Sequence, residues 1–176
     1  MIKRPAPILE KNLFRKRDAQ INLSTFALLF SEIIQLSEIG YRVGIRIFEL
    51  TMQRERTIHR ENRVLNILLY INTTIWKFLF GKQADSLEKS TENADEYMIT
   101  DNDPLLSKFI SIPKEMVSFN PYAFIAGIIE AILEACQCPS RVTAHTVPID
   151  GKPLRTVILI KFNKFVLDRE NKLGSK

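Results

Sequence analysis

NPYAFIAGIIEAILEAC, residues 120–136, spells a helix that is apolar on nearly every side, interrupted only by Glu130 and Glu134 one turn apart. A bilayer span needs about 20 mostly apolar residues, and this run is shorter and carries two carboxylates. It therefore reads as a central helix with protein on two sides. Asn120 is its cap, and Pro121 takes the first helical position, where a missing amide costs nothing. Ala123, Gly127, Ala131 and Ala135 recur every four residues as a smooth face that another layer can approach closely. Phe124, Ile128, Ile132 and Leu133 form a bulky face. One side is expected on a sheet and the other against the third helix of the chain, with Glu130 and Glu134 marking a narrow solvent edge.

On the N-terminal side the pattern predicts three helical segments. Ser24 caps the first, STFALLFSEIIQ, on which Phe26, Leu29, Phe30 and Ile33 form a stripe. The second, GYRVGIRIFELTMQRER, sets Val43, Ile47 and Leu50 on one side and Arg42, Arg46 and Glu49 on the other. The third spans residues 62–80, its core face built from Val64, Ile67, Leu68, Ile71, Ile75, Phe78 and Leu79. Leu65, Leu69, Trp76 and Phe80 broaden that face, and Gly81 stops the helix. Residues 82–95 are polar. DEYMITD and SKFISIP are short strand candidates separated by the turn residues Asn102, Asp103 and Pro104.

On the C-terminal side, strands are expected within 142–148 and 155–162, flanking Asp150-Gly151, a strong hairpin signal. Three helices, two short strands, a helix and a hairpin make an α+β domain with helices packed on one face of an antiparallel sheet. The domain spans residues 23–170, between an N-terminal arm at 1–22 and a tail at 171–176. A length of 176 residues suits one domain, and 45% hydrophobic with 26% charged residues argues for a folded chain. Neither a signal peptide nor a membrane span is recognisable, and two cysteines are too few for a disulfide scaffold, so a soluble cytosolic protein is expected.

The net charge of +5 is concentrated in the arm, where Arg15, Lys16 and Arg17 stand together, and along the second helical segment. Such clusters attract phosphate or an anionic membrane. No nucleic-acid motif accompanies them, so no nucleic-acid partner is expected. Catalytic chemistry has little to stand on. His145 lies in a strand without a nucleophile motif, and Cys136 and Cys138 lack the second ligand pair that structural zinc requires. Glu130 and Glu134 find a simple home with Arg141 or solvent. No active site, cofactor or metal is expected.

Seven stretches occur in an order that resembles the subunit 5 family of the TRAPP (transport protein particle) vesicle-tethering complex. They are FALLFSEIIQ, IGYRVGIRIFEL, WKFLFGK, DNDPLLSKFISIPKE, FIAGIIEAIL, RVTAH and ILIKF, and the resemblance covers about residues 8–170. The resemblance implies helices packed on one face of a twisted four-stranded antiparallel sheet. It also implies pairing with a related small subunit inside an assembly that exchanges nucleotide on a Rab-type GTPase, at membranes between the endoplasmic reticulum and the Golgi. The family member best known for lipid chemistry is acylated on a cysteine near the start of its third helix. The matching stretch here, HRENRVLNIL, has none, which excludes that modification at this place. The join between the first two segments is shorter than the family pattern. Residues 24–55 thus form either one bent continuous helix or a shortened variant of two.

The expected function is therefore a non-catalytic structural subunit, peripheral at endoplasmic reticulum and cis-Golgi membranes. The partner interface is expected at Phe26, Leu29, Phe30, Ile33, Val43 and Ile47, and the membrane-facing charge at Arg15, Lys16 and Arg17. The alternative is an acyl-chain-binding domain with a tunnel beside Trp76, Phe78 and Phe124.

Overall fold

The computed structural model describes residues 23–54, 63–110 and 120–174. The first element, α1 (Leu23–Arg54), is a single unbroken helix of 32 residues, which decides between the two readings of the short join. Nothing in Leu36–Ser37–Glu38 breaks a helix, and the glycines that follow serve a contact described below. The arm at 1–22, including Arg15, Lys16 and Arg17, lies outside the described residues, as does His59. So do the side chains of Phe26, Leu29, Phe30 and Ile33, although their backbone belongs to α1.

The next helical stretch runs without interruption through α2 (Val64–Tyr70), a π-helical segment (Ile71–Ile75) and α3 (Trp76–Phe80). The wide turn falls on Asn72, Thr73 and Thr74, and the Thr73 hydroxyl donates to the Leu69 carbonyl at 2.8 Å. Such a hydroxyl competes with the backbone ladder and loosens it. The extra residue shifts the register so that Ile71, Ile75 and Trp76 all turn inward and are completely buried. Gly81 ends the helix at φ 74°, a left-handed conformation that costs glycine little.

Four strands follow: β1 (Ser86–Lys89), β2 (Glu96–Asp101), β3 (Ser140–Thr146) and β4 (Thr156–Phe162). They form one antiparallel sheet in the order β1-β2-β4-β3. Ile99 pairs with Ile158, which pairs on its other side with Ala144. Inward residues Ile99, Val142, Ile158, Ile160 and Phe162 join the core, while Arg141 and Lys161 between them stay exposed. That alternation is what a sheet covered on one face by helices requires. The β3–β4 turn falls at Asp150-Gly151, closed by the Ile149–Lys152 bridge.

Three features differ from the sequence reading. β1 falls in the stretch read as polar, because SLEK has one apolar residue and shows no alternation. The strand expected at SKFISIP is replaced in part by a short helix, α4 (Leu105–Phe109). Pro104 leads into it, and the Asp101 carboxylate takes the Asp103 amide at 3.2 Å, turning the chain out of β2. Residues 111–113 of that expectation lie outside the described residues. Finally, α6 (Lys164–Gly174) follows β4 where no helix was expected, and its last turn occupies residues 171–174 of the stretch set apart as a tail.

The central helix is α5 (Ala123–Ala135). It starts later than expected: Tyr122, not Asn120, is the cap residue, and Pro121 lies in the turn before the helix. Asn120 closes that turn, its Oδ1 accepting from the Tyr122 amide at 2.9 Å. The bulky face of α5 shares one core with α2, α3 and the sheet, through Ile128, Ile132, Leu68, Ile71 and Ile160. The smooth face does not meet the third helix. It meets α1, because Gly40 and Gly44 give α1 a matching flat surface.

Candidate partner interface

The two faces of α1 have different occupants. Toward α5 the backbones nearly touch. A Cβ added at Gly44 would stand 2.7–2.9 Å from Ile128 backbone and Ala131 Cβ, and one at Gly40 or Gly127 would strike the backbone of Phe124 or Ser37. At the edge of this contact the Tyr41 hydroxyl donates to Glu134 at 2.8 Å. That bond, followed by burial and the Glu134 charge, raises the Tyr41 pKa above its usual value. Glu130 instead accepts from the Val142 amide at 3.1 Å, satisfying one outward N–H of the edge strand β3. The solvent-edge expectation thus holds for Glu134, which is exposed, while Glu130 is half-buried. A cleft of about 240 Å³ opens between Glu38, Tyr41, Arg42 and Glu130.

On the other side α1 leaves large apolar residues open: Ile39, Ile45 and Leu50. Val43 and Ile47, expected at an interface, are partly buried and pack against the core. Leu65 and Leu69, expected to broaden the core face of the third helix, are instead about half exposed, at 52% and 45%. Phe78, also expected in the core, is 40% exposed and lies under Arg54, whose guanidinium carbon is 5.6 Å from the ring centroid. Spacing alone could have found Leu65 and Leu69. They sit one turn apart and outside the arc defined by Val64, Ile67, Leu68 and Ile71. Phe78 was hidden by the π segment, which breaks the periodicity before it.

A polar cluster lies beside this surface. Asp101 is 1% exposed, receives Lys82 at 2.7 Å and receives the fully buried Tyr122 hydroxyl at 3.2 Å. Burial, then the Asp101 charge, pushes the Tyr122 phenol well above its usual pKa. Burial alone would lower Lys82, but its bond to Asp101 and the surrounding carboxylates raise it on balance. These groups pin the end of β2, the end of α3 and the start of α5 together. Their bonds are satisfied internally, which is the signature of a structural junction rather than a reactive centre.

The other chemical candidates take similar places. His145 is exposed, with Nε2 2.9 Å from the Thr143 hydroxyl. Cys138 is buried and receives Arg169 at 2.8 Å, while burial pushes the Cys136 thiol up to about 11. Trp76 is buried against Phe80, with centroids 5.1 Å apart, whereas Phe78 points out to Arg54. Trp76, Phe78 and Phe124 therefore do not face one common tunnel, and the acyl-chain reading is the weaker.

Comparison with known proteins shows the family to which the chain belongs. Residues 11–163 match the family model described as transport protein particle (TRAPP) component. The chain belongs to the TRAPP component family. It is 50% identical to trafficking protein particle complex subunit 5 of Dictyostelium discoideum, over 96% of this chain and 99% of that protein. The human subunit 5 is 37% identical over 96% of this chain and 94% of its own length. A crystal structure of TRAPP subunit 3 from Naegleria fowleri, covalently bound to palmitic acid, shares the fold. Its TM-score is 0.65 at 20% identity, covering 81% of this chain and 89% of that one.

Proposed function

We propose that this TRAPP component is a non-catalytic structural subunit that docks a related small subunit through the open sides of α1 and the α2–α3 stretch. Its relatives are named as subunits of a trafficking complex, and this chain is a subunit of such a multisubunit assembly. The observation that carries the docking surface is the run of half-exposed apolar residues Ile39, Leu50, Leu65, Leu69 and Phe78 on helices that are otherwise well packed. Phe26, Leu29, Phe30 and Ile33, whose side chains lie outside the described residues, are proposed as further partner contacts on α1, and the partly buried Val43 and Ile47 as contacts at the inner margin of the open surface. The domain in this reading comprises the expected residues 23–170 together with the last turn of α6, to Gly174. In the resemblance described above, the assembly exchanges nucleotide on a Rab-type GTPase at endoplasmic reticulum and cis-Golgi membranes. No described helix is long and apolar enough to cross a membrane, so attachment in this reading is peripheral, with Arg15, Lys16 and Arg17 toward the anionic surface.

Co-expression with each small TRAPP subunit of the same cell, followed by size-exclusion chromatography with light scattering, tests the docking. A one-to-one heterodimer that Leu65→Asp with Leu69→Asp abolishes is the expected result. A chain that stays monomeric with all of them would overturn it. Reversing Arg15, Lys16 and Arg17 to Glu should leave that heterodimer intact while reducing sedimentation with anionic vesicles. Unchanged sedimentation would remove the membrane role of the arm.

A further inference from the structure

We infer that the corner formed by Leu50, Arg54, Lys77 and Phe78 receives an apolar helix face flanked by carboxylates on the partner subunit. The inference rests on the docking reading above and adds the chemistry of what docks. Leu50 and Arg54 are one turn apart on α1, and Arg54 reaches over the Phe78 ring at 5.6 Å. That contact joins α1 and α3 into one continuous surface. Leu50 is 38% and Phe78 40% exposed, so both offer apolar surface to solvent beside the guanidinium.

Among the described residues, the cations of α1, α2 and α3 differ in their pairing. Arg46 is matched by Glu49 at 3.2 Å, and Arg63 by Glu170 at 3.2 Å. Arg54 and Lys77 have no ion-pair partner among the described residues. A guanidinium lying over a ring keeps its in-plane N–H fork open, and that fork fits a carboxylate bidentately. An anionic membrane would also attract the two cations. A bidentate fork beside exposed apolar side chains nevertheless matches a protein face that sets carboxylates around an apolar centre.

The test uses the full-length chain and each small TRAPP subunit of the same cell, purified singly. Binding is measured by titration calorimetry at low and high salt. The variants are Arg54→Glu with Lys77→Glu, and Lys152→Glu at the distant β3–β4 turn as control, all checked for an unchanged thermal midpoint. The expected result is a wild-type affinity that weakens with salt and a double reversal that binds about tenfold more weakly or worse. In the reversed variant the salt dependence should also shrink, while the control behaves as wild type. If a subunit binds the wild type and the double reversal equally at both salt concentrations, the acidic-partner inference is wrong while the docking reading stands. If no small subunit binds the wild type, the docking reading itself fails and takes the inference with it. Loss of binding to phosphatidylserine–phosphatidylcholine vesicles, with subunit binding unchanged, would assign the corner to a membrane and overturn the inference.

Discussion

The two sides of α1 invert a common expectation about where large apolar residues go. The side against α5 is closed by glycine, with Gly40 and Gly44 facing Phe124, Ile128 and Ala131. The side turned away carries Ile39, Ile45 and Leu50, all exposed. Small residues mark the internal contact because only they let two helix backbones approach this closely. Large residues stay on the open side, because the close approach to α5 leaves no room for them. Helix pairs close by shape as well as by hydrophobicity, and dispersion forces reward the shortest approach along the greatest length. The helix is thus tight against α5 and open on its other side.

The sharpest way to break this contrast is to add one methyl group to the closed side. Gly127→Ala places a Cβ against the Ser37 carbonyl and the Tyr41 amide, neither of which is a flexible side-chain tip. We expect a loss of about 3 kcal/mol or more in urea unfolding, the upper end for overpacking. Gly81→Ala is the control. Its Cβ would meet nothing, and its positive φ should cost only about 1 kcal/mol.

The second effect concerns how α5 is held at its start. Asp101→Ala removes the acceptor of the buried Tyr122 hydroxyl and the partner of Lys82. A loss of about 2–3 kcal/mol is expected, and Tyr122→Phe should cost only about 1 kcal/mol, since Asp101 keeps Lys82 and the Asp103 amide. The sign of the pH response follows from the raised pKa values of Tyr122 and Lys82. In both, the folded state holds its proton more tightly than the unfolded chain. Their contribution is therefore complete below the ordinary values, 10.0 and 10.5, and is lost as pH rises through the raised ones. Urea midpoints should fall above about pH 10, and Tyr122→Phe should flatten the fall. A midpoint independent of pH in that range would contradict this junction.

On the open side, Leu50→Ser and Leu65→Ser should change stability by no more than about 0.5 kcal/mol. The same variants should weaken heterodimer formation by about tenfold each if the residues lie near the centre of the interface. Large destabilisation without loss of binding would reverse the assignment of the two sides. The smallest effect is expected at the rim of the closed side. Tyr41→Phe removes one exposed bond to Glu134 and should cost about 0.5 kcal/mol, because solvent competes for both groups.

How much of this was legible beforehand depended on the signal each element carries. The 120–136 helix, the helical stretch ending at Gly81 and the hairpin at Asp150-Gly151 all show a period or a turn residue that local chemistry enforces. β1 carries no such signal, since SLEK pairs through its backbone to β2 and owes little to its side chains. SKFISIP has the composition of a strand, yet Pro104 and the Asp101 carboxylate direct its first half into a helix. On the candidate interface, the sequence reading placed Leu65, Leu69 and Phe78 in the core, and all three are exposed.

The sequence by itself determined the architecture: a nearly all-apolar helix must be central, alternation must become a sheet, and the ordered motifs assign the TRAPP family. Those properties are local or additive, so they survive without knowledge of neighbours. Only the tertiary structure decided that α1 is one helix, that its glycines lie on α5, and that a π segment turns Trp76 inward while Phe78 faces Arg54. A helix has several apolar sides, and its own residues do not say which of them the rest of the chain will cover. That choice belongs to the closest packing available between distant segments, and the side left uncovered is where a partner subunit docks in the function proposed here.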